Sequence, residues 1–521
     1  MHITLRLDPL RLWRWHQELI SQLESLTASR VSVVFAATTR PLNAPVWLAL
    51  QIERRLLGAV DTHPFDTLTP DSFYPWLCEA SPEQTDARID LANDQIAATD
   101  GRILTPIYDG QPGEAAFWVA LLAGRAPALA VYDSTRDGTI EIGQPAIESP
   151  HALRVSAAAV ITRLITGLGR VALDTQGHAV TPNPSASRVP PSTIGPTLSL
   201  ARRKLSTKVQ RAIDRGMGTQ PRWAVAVRRL NGRAALELPT AFDLADYTLL
   251  PDDGQRFYAD PFLFSDQGET YLFVEELPAA TNRGLISVAR ILPDGSVTTP
   301  QPILEEPYHL SYPQVFARDG AIWMLPEGFA SGGLVLYRAD RLPGPWTPVA
   351  RLIDEPLHDA TLFDHDGRLW IAANTQGPPS ARWGSSWDSL SLYSAPNLLG
   401  PWAPHPANPV LIDAAATRPA GPVFESNGAL YRPVQDCRTG YGAVLALARI
   451  DSLTGHDFAQ TIVQRSTFSA ASGLVGPHTL NRLTVGSTTL EAIDVYGPAH
   501  RLRTAARHAP TPSGRAPRHK V

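Results

Sequence analysis

Cysteine is nearly absent: Cys78 and Cys437 are the only two in 521 residues. Two such distant thiols build neither a disulfide framework nor a cysteine-rich metal cluster. An excess of charge is missing too. The 46 basic and 50 acidic side chains leave a net charge of −4, which gives no reason to expect a nucleic acid as partner. No uncharged apolar run reaches the roughly 18 residues that a membrane-spanning helix needs, so no transmembrane segment is expected. Leu5 to Trp15 is interrupted by Arg6, Asp8, Arg11 and Arg14, unlike the apolar core of a secretory signal. The cytoplasm is the expected compartment.

What is present in quantity is proline and glycine, 47 and 37 residues, within a chain that is 44% hydrophobic and 18% charged. That is a globular composition, and the length suggests two or three domains. The stretch Tyr258 to Glu276, YADPFLFSDQGETYLFVEE, recurs as SYPQVFARDGAIWMLPEG from Ser311, HDATLFDHDGRLWIAAN from His358, AGPVFESNGALYRPVQD from Ala420 and PHTLNRLTVGSTTLEAID from Pro477. The first four copies are alternating strands joined by DQG, RDG, HDG or SNG, which are hairpin signals. Copies about 47 to 61 residues apart fit the blades of a propeller. The run LYRADRLPGPW from Leu336 reappears as LYSAPNLLGPW from Leu392, as the outer strand pair of a blade would. Arg222 to Arg229 reads as an early strand that closes the ring on the last blade.

Upstream, residues 1–180 read as α/β. Helices are expected over Leu10–Leu26, Ala44–Leu57 and Pro112–Leu122, with strands at Val31–Ala37 and Arg88–Leu91, an alternation that suggests a parallel sheet. Residues 181–220 comprise a Pro/Ser-rich linker and a basic amphipathic helix over 200–215, which could touch an anionic membrane surface or dock between domains. Residues 221–500 form the expected five-bladed propeller, and 501–521 a disordered basic tail.

Within the first part, LTPIYDGQPGEAAFWVALLAG from Leu104 resembles the segment that follows the catalytic histidine in folate-dependent formyltransferases, through Pro106, Tyr108, Gly110, Trp118 and Gly124. The resemblance implies a Rossmann-type fold. The family's histidine and asparagine fall at Gly101 and Thr99, neither able to move the proton, and its aspartate could only be Asp133 or Asp137. Formyl or acyl transfer to an amino sugar is therefore kept only as an alternative.

Polar residues that open and close each inner hairpin converge on the axis of a propeller. Glycoside cleavage needs two carboxyl groups flanking the scissile bond, and Asp260, Glu327 and Asp359 are the catalytic candidates. Glu275, Glu276, Asn374 and Asp436 also stand at strand ends. Tyr258, Tyr312 and His358 open copies, Trp383 and Trp387 offer flat faces in the insert after the third hairpin, and Arg382, Arg418 and Arg432 could grip an anion. Glu276, Asn374, Asp436, Tyr258, Tyr312, His358, Trp383, Arg418 and Arg432 make up the expected ligand-binding set.

The leading Asp-Pro, the third-copy Asp and the GPW strands resemble the five-bladed propellers of arabinanases, β-xylosidases, levansucrases and invertases. That resemblance implies a base or nucleophile at Asp260 and a supporting carboxyl at Asp359. It places the general acid at the fourth copy, where this chain has Ala420, with Glu327 or Glu425 as substitutes. It also implies a central calcium ion with His478 as an axial ligand, although Thr479 and Asn481 could make His478 a hydrogen-bonded core residue. YADPF, SYPQVF, LPEG, HDATLF and GPHTLN together look like the N-terminal region of glucosamine inositolphosphorylceramide transferases, which implies a carbohydrate or glycolipid ligand. The expectation is a glycoside-hydrolase-like protein that acts on or transfers a glycosyl unit, with a non-catalytic sugar- or glycolipid-binding module as the alternative.

Overall fold

The computed structural model describes residues 1–27, 29–36, 44–56, 62–78, 85–92, 101–173, 180–182, 200, 202–203, 221–231, 237–377 and 383–507. Most of the linker, the basic helix beyond Arg203, Thr99, Arg382 and the tail past Arg507 lie outside the described residues. The chain divides into two compact units. One comprises Met1–Ile213 with Thr375–Leu390 and Leu411–Thr417; the other comprises Asp214–Asn374, Ser391–Val410 and Arg418–Val521.

The first unit is α/β. Arg30–Phe35, His2–Leu7, Ala87–Asp90 and Ile103–Tyr108 lie side by side and parallel. Leu129–Asp133, Gly138–Gly143 and Val180–Pro182 extend the sheet antiparallel. The sheet is thus mixed, not parallel throughout. Between Asp133 and Gly138 the chain has only a short turn with Asp137 at positive φ, too little for the crossover that a parallel neighbour requires.

Helices Arg14–Thr27, Ala44–Leu56 and Glu114–Ala123 fall near their expected places. Leu153–Leu173, unforeseen from the sequence, is long and apolar enough to cross a membrane, but 89% of its apolar window is buried inside the protein. Its Arg163 is fully buried. The guanidinium meets Asp388 at 2.8 Å and donates to the carbonyls of Thr375, Gln376 and Ser385. Leu200 joins this unit's core. Arg203 donates to the carbonyls of Leu122 and Ala123, satisfying the open end of the Glu114–Ala123 helix.

The second unit is five antiparallel sheets met in sequence order, the expected propeller. The first four hairpin turns place two successive residues at positive φ: Gln267–Gly268, Asp319–Gly320, Asp366–Gly367 and Asn427–Gly428. This is the left-handed turn that matches strand twist. Pro221–Asn231 pairs with Thr488–Pro498 along its whole length, so the last blade combines strands from both ends of the unit. Glu491 fastens that blade by accepting from Arg228 on one side, Arg482 on the other and the Tyr247 hydroxyl.

The outer-strand reading of the two GPW echoes holds. Leu334–Ala339 pairs with Thr347–Ile353, and Ser389–Ala395 with Ala403–Pro404. Trp323 and Trp370 are buried as blade packing. Ala499–Arg507 is helical, so the start of the expected tail is ordered, with Leu502 buried in the core.

Candidate functional site

The site grows from one backbone device used three times. Where the innermost strands of blades one, two and three begin, the ladder slips between Ala259 and Phe262, Ser311 and Gln314, and His358 and Thr361. At each slip one residue takes a left-handed conformation: Asp260 at φ 50°, Tyr312 at 48° and Asp359 at 49°. Such a bulge re-aims a side chain, and a non-glycine residue held there costs about 1–3 kcal/mol, a strain that gathers at functional sites. Gly421 takes the corresponding place in blade four, at φ 132°.

The re-aimed groups join one buried polar cluster. Asp260 accepts from the Tyr312 N–H at 3.1 Å and the Thr479 hydroxyl at 2.9 Å, and lies 3.0 Å from His478 Nε2. His478 Nδ1 sits 2.9 Å from Asp494, whose carboxylate also accepts from the N–H groups of His478 and Thr479. Burial alone would lower the His478 pKa, but Asp494 and Asp260 outweigh it and raise it to about 10. The two carboxylates flanking the ring favour its protonated form.

Asp359 accepts from Arg418 Nε at 2.6 Å and Gln435 at 3.2 Å. Burial pushes its carboxyl well above the usual range against the pull of Arg418, and Glu327 and Asp260 push the same way. Glu327 closes the second inner hairpin. It faces His358 Nδ1 at 3.1 Å and accepts from the Asp359 N–H at 2.8 Å. Burial would raise its pKa, yet His358 and Arg418 carry it far below the usual carboxylate range.

Tyr441 links the two halves, its ring 5.1 Å from the Arg418 guanidinium and 5.2 Å from the His478 ring. Tyr312 is fully buried, bonded through its hydroxyl to Thr361 at 3.0 Å and Gly421 N–H at 2.7 Å. At the more open side, Glu275 pairs with the half-exposed His309 at 3.0 Å. Burial raises the Glu275 pKa despite His309, with Asp260 adding to the rise.

The structure thus brings Asp260, Glu327, Asp359, Tyr312, His358, Arg418 and His478 together. Asn374 closes the third hairpin opposite His358 and is fully buried. Other expected ligand-binding residues are not part of the cluster. Tyr258 lies in the apolar core between blades and is pushed by burial up to about 12. Glu276, one residue on from Glu275, projects from the opposite face of its strand, paired with Arg256 and the Ser287 hydroxyl. Arg432 is buried in blade four against Gln460 and does not stand at a mouth. Asp436 is occupied by Arg438 and Arg465. Trp383 belongs to the α/β unit, its ring 4.8 Å from His63.

Sequence reasoning missed Asp494, Tyr441, Gln435 and His309. Asp494 was legible in principle, because it closes the second strand of copy five as Glu275 and Glu327 close copies one and two. In the α/β unit, Asp133 is tied to Arg102 and Thr135, and Asp137 to the Tyr132 hydroxyl.

Asp260, His478 and Asp494 present donor atoms within 4.8 Å of one another, close enough to hold a small ion. Calcium, however, takes about six to eight oxygen ligands. This set offers two carboxylates and a nitrogen, and those carboxylates are engaged by His478, Thr479 and backbone N–H groups. Calcium on an axial His478 would have to draw most of its ligands from water and displace these bonds.

A family model described as glucosamine inositolphosphorylceramide transferase 1, N-terminal, matches residues 248–474. Glucosamine inositolphosphorylceramide transferase 1 of Oryza sativa subsp. japonica is 37% identical over 222 residues, 42% of this chain and 29% of that protein. The Arabidopsis thaliana protein of the same name is 32% identical over 221 residues, 42% of this chain and 28% of its own. The chain therefore spans less than a third of the length of these curated relatives.

Among solved structures, a family 117 glycoside hydrolase of Zobellia galactanivorans is 13% identical with a TM-score of 0.33, covering 53% of this chain and 90% of that one. A β-xylosidase/α-arabinofuranosidase from a compost metagenome, in complex with xylotriose, is 15% identical with a TM-score of 0.34, covering 44% and 83%.

Proposed function

We propose that the propeller is a carbohydrate-recognition module that binds a glycan or glycolipid headgroup at the axial polar cluster without cleaving it. One observation carries this reading: each candidate catalytic acid is matched with a basic side chain. Asp260 is paired with His478, Asp359 with Arg418 and Glu327 with His358. A general acid must hold a proton and present it to the leaving oxygen. Glu327 is kept ionised, Asp359 is 2% exposed with Arg418 and Gln435 on its carboxylate, and the fourth-blade acid position is the fully buried Ala420. A cluster of fixed donors and acceptors is suited to sugar hydroxyls, and the matched relatives carry names that pair glucosamine with inositolphosphorylceramide.

Glycosyl cleavage or transfer is the second reading. It rests on Asp359 and Glu327 being driven in opposite directions, the pattern that separates an acid from a base at one pH. A glycan array read beside a substrate panel, for the full chain and Asp260→Ala, separates the two. Binding without product from either protein supports recognition. Product from the wild type that disappears in Asp260→Ala establishes an enzyme and overturns it.

A further inference from the structure

His358 is more than nine-tenths buried, yet only one side of its ring is matched. Nδ1 faces Glu327 Oε1 at 3.1 Å, while Nε2 is buried with no hydrogen-bond partner. A buried polar atom left unmatched costs about 1–3 kcal/mol, a cost that a ligand donor would remove. Glu327 is ionised and can only accept, so the hydrogen on this contact belongs to Nδ1. In the neutral ring Nε2 then carries a lone pair.

Phe329 stacks on the imidazole at 4.4 Å and 14°. It sits half-exposed in the short turn Phe329–Ser331, between Gly328 and Gly332 at φ 77°. That aromatic face is able to follow the flat apolar side of a sugar ring. Glu327 lies against one edge of the ring, with Arg418 Nη2 3.9 Å from its other oxygen. A carboxylate or phosphate arriving at Nε2 would bring a lone pair to a lone pair beside the Glu327 charge, whereas a hydroxyl or ammonium group would donate to it.

Resting on the recognition reading above, we propose that Glu327, His358 and Phe329 form the ligand-contacting subsite of the propeller, in which His358 Nε2 accepts a hydrogen bond from a hydroxyl or ammonium group of a sugar ring. Glu327 acts as a positioning residue that fixes the tautomer, and a cationic or neutral sugar is preferred to an acidic one.

The test is nitrogen NMR of the histidine rings in the full chain, with titrations of glucosamine, glucose and glucuronate. In the free protein a hydrogen is expected on His358 Nδ1, facing Glu327, and none on Nε2. Glucosamine or glucose should shift Nε2, and glucuronate should bind at least about tenfold more weakly. His358→Gln and Phe329→Ala should each weaken sugar binding, the first by about tenfold, the loss of one buried hydrogen bond. Because Phe329 is half-exposed, its variant keeps the test open should His358→Gln misfold. A hydrogen on Nε2 in the free protein, or sugar binding that neither variant nor the acidic probe alters, overturns the subsite and leaves the recognition reading standing. No response of any propeller residue to any sugar overturns both.

Discussion

At the scale of single residues, the account depends on buried acid–base pairs in which each group satisfies the other. Arg418 and Asp359 meet at 2.6 Å with both side chains less than a tenth exposed, and Arg163 and Asp388 meet at 2.8 Å in the α/β unit. Removing one partner leaves an uncompensated buried charge, which costs about 3–5 kcal/mol. Asp388→Ala is therefore expected to lower unfolding free energy by about that amount in denaturant titration, and Asp359→Ala likewise. A loss below about 1 kcal/mol in both would contradict the assignment, since exposed pairs behave that way.

Gly421 gives a steric counterpart. A Cβ there would lie 2.0 Å from the Leu480 carbonyl oxygen, at a φ that L side chains avoid. Gly421→Ala should cost several kcal/mol, or prevent soluble expression, while Ala429→Gly in the neighbouring hairpin should not. Equal expression and melting of Gly421→Ala and wild type would count against the close approach of blades four and five.

At the scale of elements, the hairpins were legible because turn chemistry and strand alternation are local. An Asn or Asp followed by Gly at positive φ needs no tertiary knowledge. Asp260 and Asp359 could be found for the same reason: their repeat positions are fixed by the turn that follows. Side-chain direction at the far end of the second strand was harder. Glu275 and Glu276 are adjacent and both acidic, and alternation sends one to the cluster and the other to Arg256. Which one is decided by the register of the strand within its blade, which the sequence does not announce.

Arg432 and Asp436 were misplaced for that same reason, and Tyr441 lies in a loop outside the repeat. The Leu153–Leu173 helix escaped because it is apolar on nearly every side, so it lacks the amphipathic period that marks surface helices. The closing strand, by contrast, carries a direct prediction. Glu491→Ala leaves Arg228 and Arg482 without their shared acceptor, and hydrogen exchange should show Pro221–Asn231 and Thr488–Pro498 opening together with a gain of at least about tenfold. Opening of one strand without the other would contradict the closure.

At the scale of the whole molecule, buried histidines of the two units act on stability in opposite directions with pH, while the raised carboxyls of Glu18 and Asp388 oppose the histidines of the α/β unit. In the α/β unit, burial, aided by Arg11, lowers the His16 pKa to about 3, and burial with Arg154 lowers that of His63 to about 4 against the pull of Asp66. The unfolded chain takes up these protons near pH 6.5 and the folded unit does not until far lower, so stability falls as pH drops through that interval. In the propeller His478 is raised to about 10. Its contribution is complete below about pH 6.5 and is lost as pH rises toward about 10. Calorimetry at about pH 5 and 9 should show the α/β transition of His63→Gln gaining in acid relative to wild type, and the propeller transition of His478→Gln losing less in base than wild type. Variants whose pH dependence matches wild type would contradict the assignment of these histidines.

The central claim, that the axial cluster recognises a glycan and leaves it whole, is met most directly by one paired measurement on the full chain. A glycan selected from an array is titrated by calorimetry into wild type and the near-isosteric Glu327→Gln, and its mass is then read after prolonged incubation. The account predicts binding to the wild type, at least about tenfold weaker binding to the variant, and an unchanged glycan in both. Cleaved or extended glycan, or equal affinity in the two proteins, would contradict it.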